Sequence, residues 1–498
     1  MNLVELVLAQ ARARPQAPAI IAGERTLSFA ELGECSARAA ALFRQAGFVP
    51  GDAVLVFVPM GIDLYILLAG LWRVGLVALV VDPSAGRAHL ARSVTRMSPK
   101  GFVGTTMAQF LRLSVRELRR IPRAWSTGFP WFCRRWSALD HQQPDERVES
   151  LSDDHPALVT FTSGSTGGPK GAVRTHGFLR AQHAAVSRSL DHQVGAMDLS
   201  TLPIFALANL ASGQSVLIPD ADVRRPGAID PAPVLAQIAR YRPRSAVASP
   251  AFFERLADGC DTGAGSIASF QAIFTGGAPV FPQLLERLQR LAPQAQVVAV
   301  YGSTEAEPIA EIAYRDMDAA DLAAQRGGKG LLAGPVVTGI DLAILPDYWG
   351  TPVSAMSAGE LTGIRLPAGV PGEITVAGDH VLSGYLGGAG DAETKFRVDG
   401  RIWHRTGDAG YLDERGRLWL LGRCGARITD ARGTLYPFAV ETAARTVTGI
   451  CRAALVGLDG QRILAFESSS TGAPAELSIA LAWAQLDRFV SMTIPLDR

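Results

Sequence analysis

Lysine is nearly missing from this chain. Its 498 residues include four, at Lys100, Lys170, Lys329 and Lys395, and the other 44 of the 48 basic residues are arginine. Charge of one sign is missing too: 48 basic residues against 47 acidic ones leave a net +1. That excludes a global field drawing the protein to nucleic acid or to an anionic membrane. The five cysteines, Cys35, Cys133, Cys260, Cys424 and Cys451, are far apart, odd in number and free of C-x-x-C spacing. A disulfide framework and a cysteine zinc site are therefore not expected. No long uninterrupted hydrophobic run occurs. The most apolar stretch, 64–81, contains Arg73, Gly70 and Gly75 and ends at Asp82-Pro83. It reads as helix, turn and strand rather than a membrane span. The first residues, Met1-Asn2-Leu3-Val4-Glu5, lack the basic and apolar regions of a secretion signal. A cytoplasmic location is the expectation.

With 48% hydrophobic and 19% charged residues, the composition is that of an ordered globular protein. At roughly 150 residues per domain the length is about three domains' worth. Ser28 followed three residues later by Glu31 predicts a capped helix running to about residue 45. Apolar runs at 53–58 and 76–81, with a helical pattern at 64–74 between them, predict βαβ units and a mostly parallel sheet. The rhythm returns with helices over 234–241 and 284–291 and strands over 245–248 and 296–300. From 334 to 421 it changes to short strands, 340–344, 372–376 and 417–421, separated by Gly/Pro/Asp turns. The segment after Arg423 reads as a separate small α/β unit. Residues 108–137 interleave arginine with Phe110, Trp125, Trp131, Phe132 and Trp136. Two readings stay open there: a solvated arginine face over a packed aromatic edge, or a patch for a peripheral membrane or a partner enzyme.

The richest chemical signal is Thr160-Phe161-Thr162-Ser163-Gly164-Ser165-Thr166-Gly167-Gly168-Pro169-Lys170-Gly171. Backbone N–H groups and hydroxyls in such a loop can wrap a polyphosphate, and Lys170 adds a point charge. It is not a Walker A loop, because proline precedes the lysine and glycine, not Ser or Thr, follows it. The segment closely resembles the phosphate loop of the adenylate-forming superfamily of acyl-CoA synthetases, peptide-synthetase adenylation domains and luciferases. Further motifs of that superfamily follow in order. Gly276-Gly277-Ala278-Pro279 resembles the turn that lines adenine. Tyr301-Gly302-Ser303-Thr304-Glu305 matches Y-G-x-T-E. Gly372-Glu373-Ile374 with Gly384-Tyr385, then Arg405-Thr406-Gly407-Asp408 and Gly422-Arg423, complete the set.

The resemblance implies an α/β fold. It comprises a large N-terminal domain, 1–422, of two sheet-and-helix subdomains plus a β-rich one over 334–422, followed by a small mobile lid, 423–498, hinged at Gly425. It also implies ATP and Mg²⁺ as cofactors and AMP-forming activation of a carboxylic acid. Catalytic roles fall on Thr304, Glu305 and Lys170, with Glu305 as the Mg²⁺ ligand. Thr162, Ser163, Gly164, Ser165, Thr166, Gly167, Gly277, Ala278, Pro279, Tyr301, Gly302, Asp408 and Arg423 are the implied nucleotide contacts. Such chemistry needs electrostatics and positioning rather than a nucleophilic side chain.

Three departures shape the finer reading. In Leu202-Pro203-Ile204-Phe205-Ala206, alanine stands where the superfamily usually has histidine, so the gate is either absent or supplied by Phe205; the apolar run that begins with Phe205, Ala206 and Leu207 is the expected substrate-pocket wall. Gly425 stands where the hinge is usually Lys or Asp. No lysine follows Lys395, where the superfamily has a catalytic lysine near the C-terminus, and the expectation is that the sequence stops just short of it. Pro203-Ile204-Phe205-Ala206-Leu207, Leu217-Ile218-Pro219-Asp220-Ala221-Asp222, Ala248-Ser249-Pro250-Ala251 and Ala431-Arg432-Gly433-Thr434-Leu435-Tyr436 together resemble the β-lactone synthetases of bacterial olefin pathways. That branch implies a β-hydroxy fatty acid substrate and no CoA. The alternatives are a long-chain acyl-CoA ligase, which would need CoA, and a non-catalytic acyl- or nucleotide-binding protein.

Overall fold

Ser28 opens the first long helix, Phe29–Gln45, by accepting the N–H of Glu31, while the Glu31 carboxylate accepts the Ser28 N–H at 2.7 Å. Two of the helix's free N–H groups are thereby satisfied locally, as the sequence predicts. The computed structural model describes residues 1–82, 85–163, 169–469 and 473–494. It divides into two compact units, one of residues 1–220 with 382–391 and one of 221–381 with 392–498.

The first unit is built on a seven-stranded sheet. Its strand order is Arg134–Arg135, Arg123–Ser126, Gly101–Gly104, Ala53–Phe57, Val77–Val81, Pro156–Ser163 and Pro169–Thr175. Every neighbouring pair is parallel except the last, an antiparallel hairpin. The central strands read Ala-Val-Leu-Val-Phe and Val-Ala-Leu-Val-Val, apolar throughout because helices cover both faces of such a sheet. Helix Ile62–Arg73 is buried nearly all round, and Trp72 and Trp125 fill the core beside Phe43. Strands Met197–Ser200, Ser215–Ile218, Pro18–Ala22 and Arg25–Ser28 pair side by side, the last pair antiparallel.

The second unit starts with parallel strands Ser245–Ala248, Ala272–Gly276 and Gln296–Ser303, followed by antiparallel Ala306–Ala313. Helices Pro231–Tyr241, Pro250–Asp261 and Pro282–Leu291 each begin with proline, where no intrahelical N–H bond is lost. A six-stranded antiparallel sheet follows, in the order Leu331–Pro335, Arg417–Arg423, Arg401–Leu412, Gly372–Gly378, Ile340–Leu345, with Lys395–Val398 also on Arg401–Leu412. The last part has a hairpin, Ile428–Asp430 with Gly433–Leu435, and a three-stranded sheet, Ile450–Leu458, Gln461–Ser468 and Arg488–Ser491. Its own core gathers Leu435, Val440, Leu464, Phe466 and Leu481. Among the described residues no helix is long and apolar enough to cross a membrane.

Candidate active site

Two adjacent parallel strands of the second unit carry the first group of motif residues. Ala272–Gly276 ends at Gly276, which lies opposite Val300 of Gln296–Ser303. A Cβ on Gly276 would sit 2.4 Å from the Val300 carbonyl oxygen, so only glycine lets the two strands approach. Gly277 then takes φ +77°, and Gly277, Ala278 and Pro279 form an exposed loop at the carboxyl end of the strand. Carboxyl ends of parallel strands are where α/β sheets bind ligands.

The Y-G-x-T-E residues continue the neighbouring strand. Tyr301, Gly302 and Ser303 are its last three residues, and Ser303 pairs with Ala306 across a two-residue turn made of Thr304 and Glu305. Both turn residues are half-buried at the hairpin tip. The Ser303 hydroxyl accepts the Glu305 N–H at 3.2 Å and helps fix the turn.

Asp408 belongs to Arg401–Leu412 and pairs in register with Arg423 of Arg417–Arg423. Its carboxylate accepts the Tyr301 hydroxyl at 2.8 Å and meets the Arg423 guanidinium at 3.2 Å. The Thr406 hydroxyl accepts the Asp408 N–H at 3.1 Å. Burial raises the Asp408 carboxyl above the ordinary aspartate value, while Arg423 and Tyr301 pull it back. Burial and the adjacent Asp408 charge push the Tyr301 phenol well above its usual value, so it stays a neutral donor. Tyr301 and Arg423, from two other motifs, thus meet at the Asp408 carboxylate.

A second layer holds Asp408 in place. Arg405, wholly buried, grips the Glu373 carboxylate with Nε at 3.1 Å and Nη2 at 2.6 Å. Its Nη1 donates to the Thr351 carbonyl at 2.6 Å. Trp349 lies under this strand: the Arg405 guanidinium is 5.8 Å from its ring centre, and a Cβ on Gly407 would sit 2.7 Å from its Cη2. Gly425 lies in a short 3₁₀ turn, Cys424–Ala426, where a Cβ would lie 3.6 Å from the Trp349 Nε1. Trp349 belongs to none of the sequence motifs; its Asp-Tyr-Trp-Gly setting signals only a turn.

The first unit carries the phosphate-loop lysine. Lys170 is buried on Pro169–Thr175, opposite Thr162. Its ammonium lies 5.8 Å from the centre of the Tyr385 ring. Gly390, at φ +101°, lies against the same side chain, so that a Cβ there would be 2.7 Å from the Lys170 Cδ and Cε. Thr162 and Ser163 lie on the strand before the loop, whereas Gly164, Ser165, Thr166 and Gly167 lie outside the described residues. Phe205 and Ala206 are core residues of helix Pro203–Ala211, and Leu207 lines a small apolar recess with Leu3, Leu179 and Val186.

The family described as AMP-binding enzyme matches residues 7–386. An olefin beta-lactone synthetase of Xanthomonas campestris is 33% identical over 448 residues, covering 87% of this chain and 78% of that protein. A putative acyl-CoA ligase of Bacillus subtilis, YdaB, is 26% identical over 92% of this chain and 86% of its own length. Among solved structures, ATP-bound MatB of Rhodopseudomonas palustris superimposes with a TM-score of 0.82 at 21% identity, covering all of this chain and 96% of its own. The amide bond synthetase McbA of Marinactinospora thermotolerans gives the same score at 20% identity over 99% and 97% of the two chains. The chain belongs to the AMP-binding enzyme family and is an adenylate-forming, AMP-producing ligase.

Proposed function

We propose that the protein activates a long-chain β-hydroxy carboxylic acid with ATP and closes it to a β-lactone. The observation that carries this reading is the 33% identity to an olefin beta-lactone synthetase across 87% of the chain. In the first step a substrate carboxylate oxygen attacks the α-phosphorus of ATP. The bond to the β-phosphate oxygen breaks, and pyrophosphate leaves. In the second step the substrate's own β-hydroxyl oxygen attacks the acyl carbon. The bond to AMP breaks, the hydroxyl proton is released, and lactone and AMP are the products.

Tyr301 offers a flat face to adenine and the 277–279 backbone offers its polar edge. Asp408 accepts the ribose hydroxyls, and Arg423 keeps its charge balanced. The Thr304 hydroxyl donates to the α-phosphate, where negative charge spreads during transfer. Lys170 contributes a fixed positive charge with the adjoining Gly/Ser/Thr loop. Glu305 is a hard oxygen donor at a half-buried hairpin tip. One such carboxylate, shared with phosphate oxygens, fits the way Mg²⁺ is usually held. Bound there, the ion would neutralise phosphate charge.

Ala206, buried in its helix, replaces the histidine expected at this position. A reaction that closes on itself needs no gate for a thiol. The likeness to a putative acyl-CoA ligase favours thioester formation as the second reading. Incubation with ATP, Mg²⁺ and a β-hydroxy fatty acid without CoA separates the two. Lactone, AMP and pyrophosphate are the expected products. A product that forms only when CoA is added, as a thioester, overturns the lactone reading.

A further inference from the structure

Residues 106–135 carry seven arginines and a single acid, Glu117, on a protein whose net charge is +1. The same stretch holds the most concentrated exposed apolar surface of the first unit. On helix Thr106–Ser114, Met107, Phe110 and Leu113 stand three residues apart, on one face, and are 74%, 44% and 38% exposed. That spacing normally seats a helix on a core; here it points to solvent. The turn at 129–132 adds Phe129, Trp131 and Phe132, at 61%, 43% and 78% exposure. The rings are continuous: Phe110 to Trp131 is 5.7 Å between centres, Phe129 to Trp131 5.6 Å, and Trp131 to Phe132 6.1 Å.

Trp125 and Trp136, in the same segment, are 0% and 3% exposed and belong to the core. The packed aromatic edge is therefore real, but it accounts for those two rings and not for the others. Phe132 has φ +51°, a left-handed conformation that a bulky residue adopts at a cost. Glycine or asparagine would relieve the turn; phenylalanine there presents a ring outward instead.

Arg116, Arg119, Arg120, Arg134 and Arg135 are exposed and make no ion pair among the described residues. Arg134–Arg135 is the edge strand of the seven-stranded sheet. Charge on an edge strand discourages edge-to-edge pairing, which explains those two arginines and leaves the exposed rings unexplained. Aromatic and long aliphatic side chains flanked by unpaired arginines match a surface whose interior is apolar and whose rim is anionic.

We propose that this patch docks the protein, peripherally and reversibly, on an anionic phospholipid bilayer. Phe110, Phe129, Trp131 and Phe132 enter the interface between headgroups and acyl chains, and the arginines meet lipid phosphates. The proposal rests on this surface alone and holds whatever acid is activated.

Flotation with vesicles of phosphatidylcholine alone, or with 30% phosphatidylglycerol, tests it. Binding at least ten-fold stronger to the anionic vesicles, and lost in high salt, is expected. Trp131→Ala with Phe132→Ala, and separately Arg134→Gln with Arg135→Gln, should each weaken binding at least ten-fold while circular dichroism and melting temperature stay unchanged. Absence of vesicle binding overturns the proposal, as does binding that neither variant alters. Self-association that the Trp131→Ala, Phe132→Ala variant abolishes, without vesicle binding by the parent, also overturns it and assigns the patch to a protein contact.

Discussion

The Tyr301 hydroxyl donates to the Asp408 carboxylate at 2.8 Å across 107 positions of sequence. This bond joins the tip region of a parallel sheet to the centre of an antiparallel one. It orients a carboxylate that burial alone would leave protonated at higher pH than usual.

The sign of that shift makes a prediction. A carboxyl whose value is raised by folding lowers stability as pH rises from the unfolded value through the folded one. At neutral pH the Asp408 charge is thus a cost to the fold that function retains. Asp408→Asn keeps an acceptor for Tyr301 and removes the charge. Its melting temperature should equal or exceed that of the parent. ATP–pyrophosphate exchange should fall about 10- to 100-fold, as for loss of a charged hydrogen bond of about 1.5–3 kcal/mol, mainly through KM for ATP. A destabilised variant with unchanged exchange contradicts this.

Arg405 and Glu373 make the opposite prediction. Both are buried, and the pair is bidentate. Arg405→Ala strands the Glu373 carboxylate and should cost about 3–5 kcal/mol, read as a drop in the urea midpoint. Arg405→Met combined with Glu373→Leu removes both charges and should recover at least half of that loss. Nucleotide binding should fall in both, because the strand that presents Asp408 loses its anchor. Equal destabilisation in the single and double variants would show that the charge left behind is not the cause.

Such pairings mark where sequence reading stops. The helix at Ser28 is legible because a capping box needs only four consecutive residues. Strands such as Val77–Val81 are legible because a sheet covered on both faces demands unbroken apolar runs. Thr304 and Glu305 are legible as motif residues, and the hairpin explains their adjacency: it leaves only those two in the turn. Trp349 is not legible, since its contacts with Arg405 and Gly407 are more than 50 positions away and follow no local period. The segment 108–137 is half legible. Its arginine–aromatic composition is evident, but which rings are buried depends on the strand and helix that cover them. Trp125, on strand Arg123–Ser126, faces the core, while Trp131 stands in a turn where Phe110, Phe129 and Phe132 leave it 43% exposed.

Gly390 and Lys170 predict a specific loss. Alanine at Gly390 introduces both a strained φ of +101° and a clash with the lysine stem. Gly400, at φ +83°, has open space around it, so Gly400→Ala isolates the strain. Both variants should lose about 1–3 kcal/mol of stability. Only Gly390→Ala should also lower adenylate formation, by at least ten-fold, because it shifts the ammonium. Equal activity in the two variants would remove Gly390 from any role in placing Lys170.

The last prediction concerns Glu441 on helix Pro437–Ala444. Burial pushes its carboxyl up to about 7, partly offset by the Leu455 N–H at 2.9 Å and by Arg445. The unfolded carboxyl titrates near the ordinary value of 4.5. Between those two values the folded chain holds a proton that the unfolded chain has released, so stability falls as pH rises. Glu441→Gln mimics the protonated group and cannot titrate. Its stability relative to the parent should climb from pH 4.5 to pH 7 by about 1–3 kcal/mol and then level off. Urea denaturation of both proteins across that range measures the difference. A gap that stays constant from pH 4.5 to 8 means the buried carboxyl does not carry the proton.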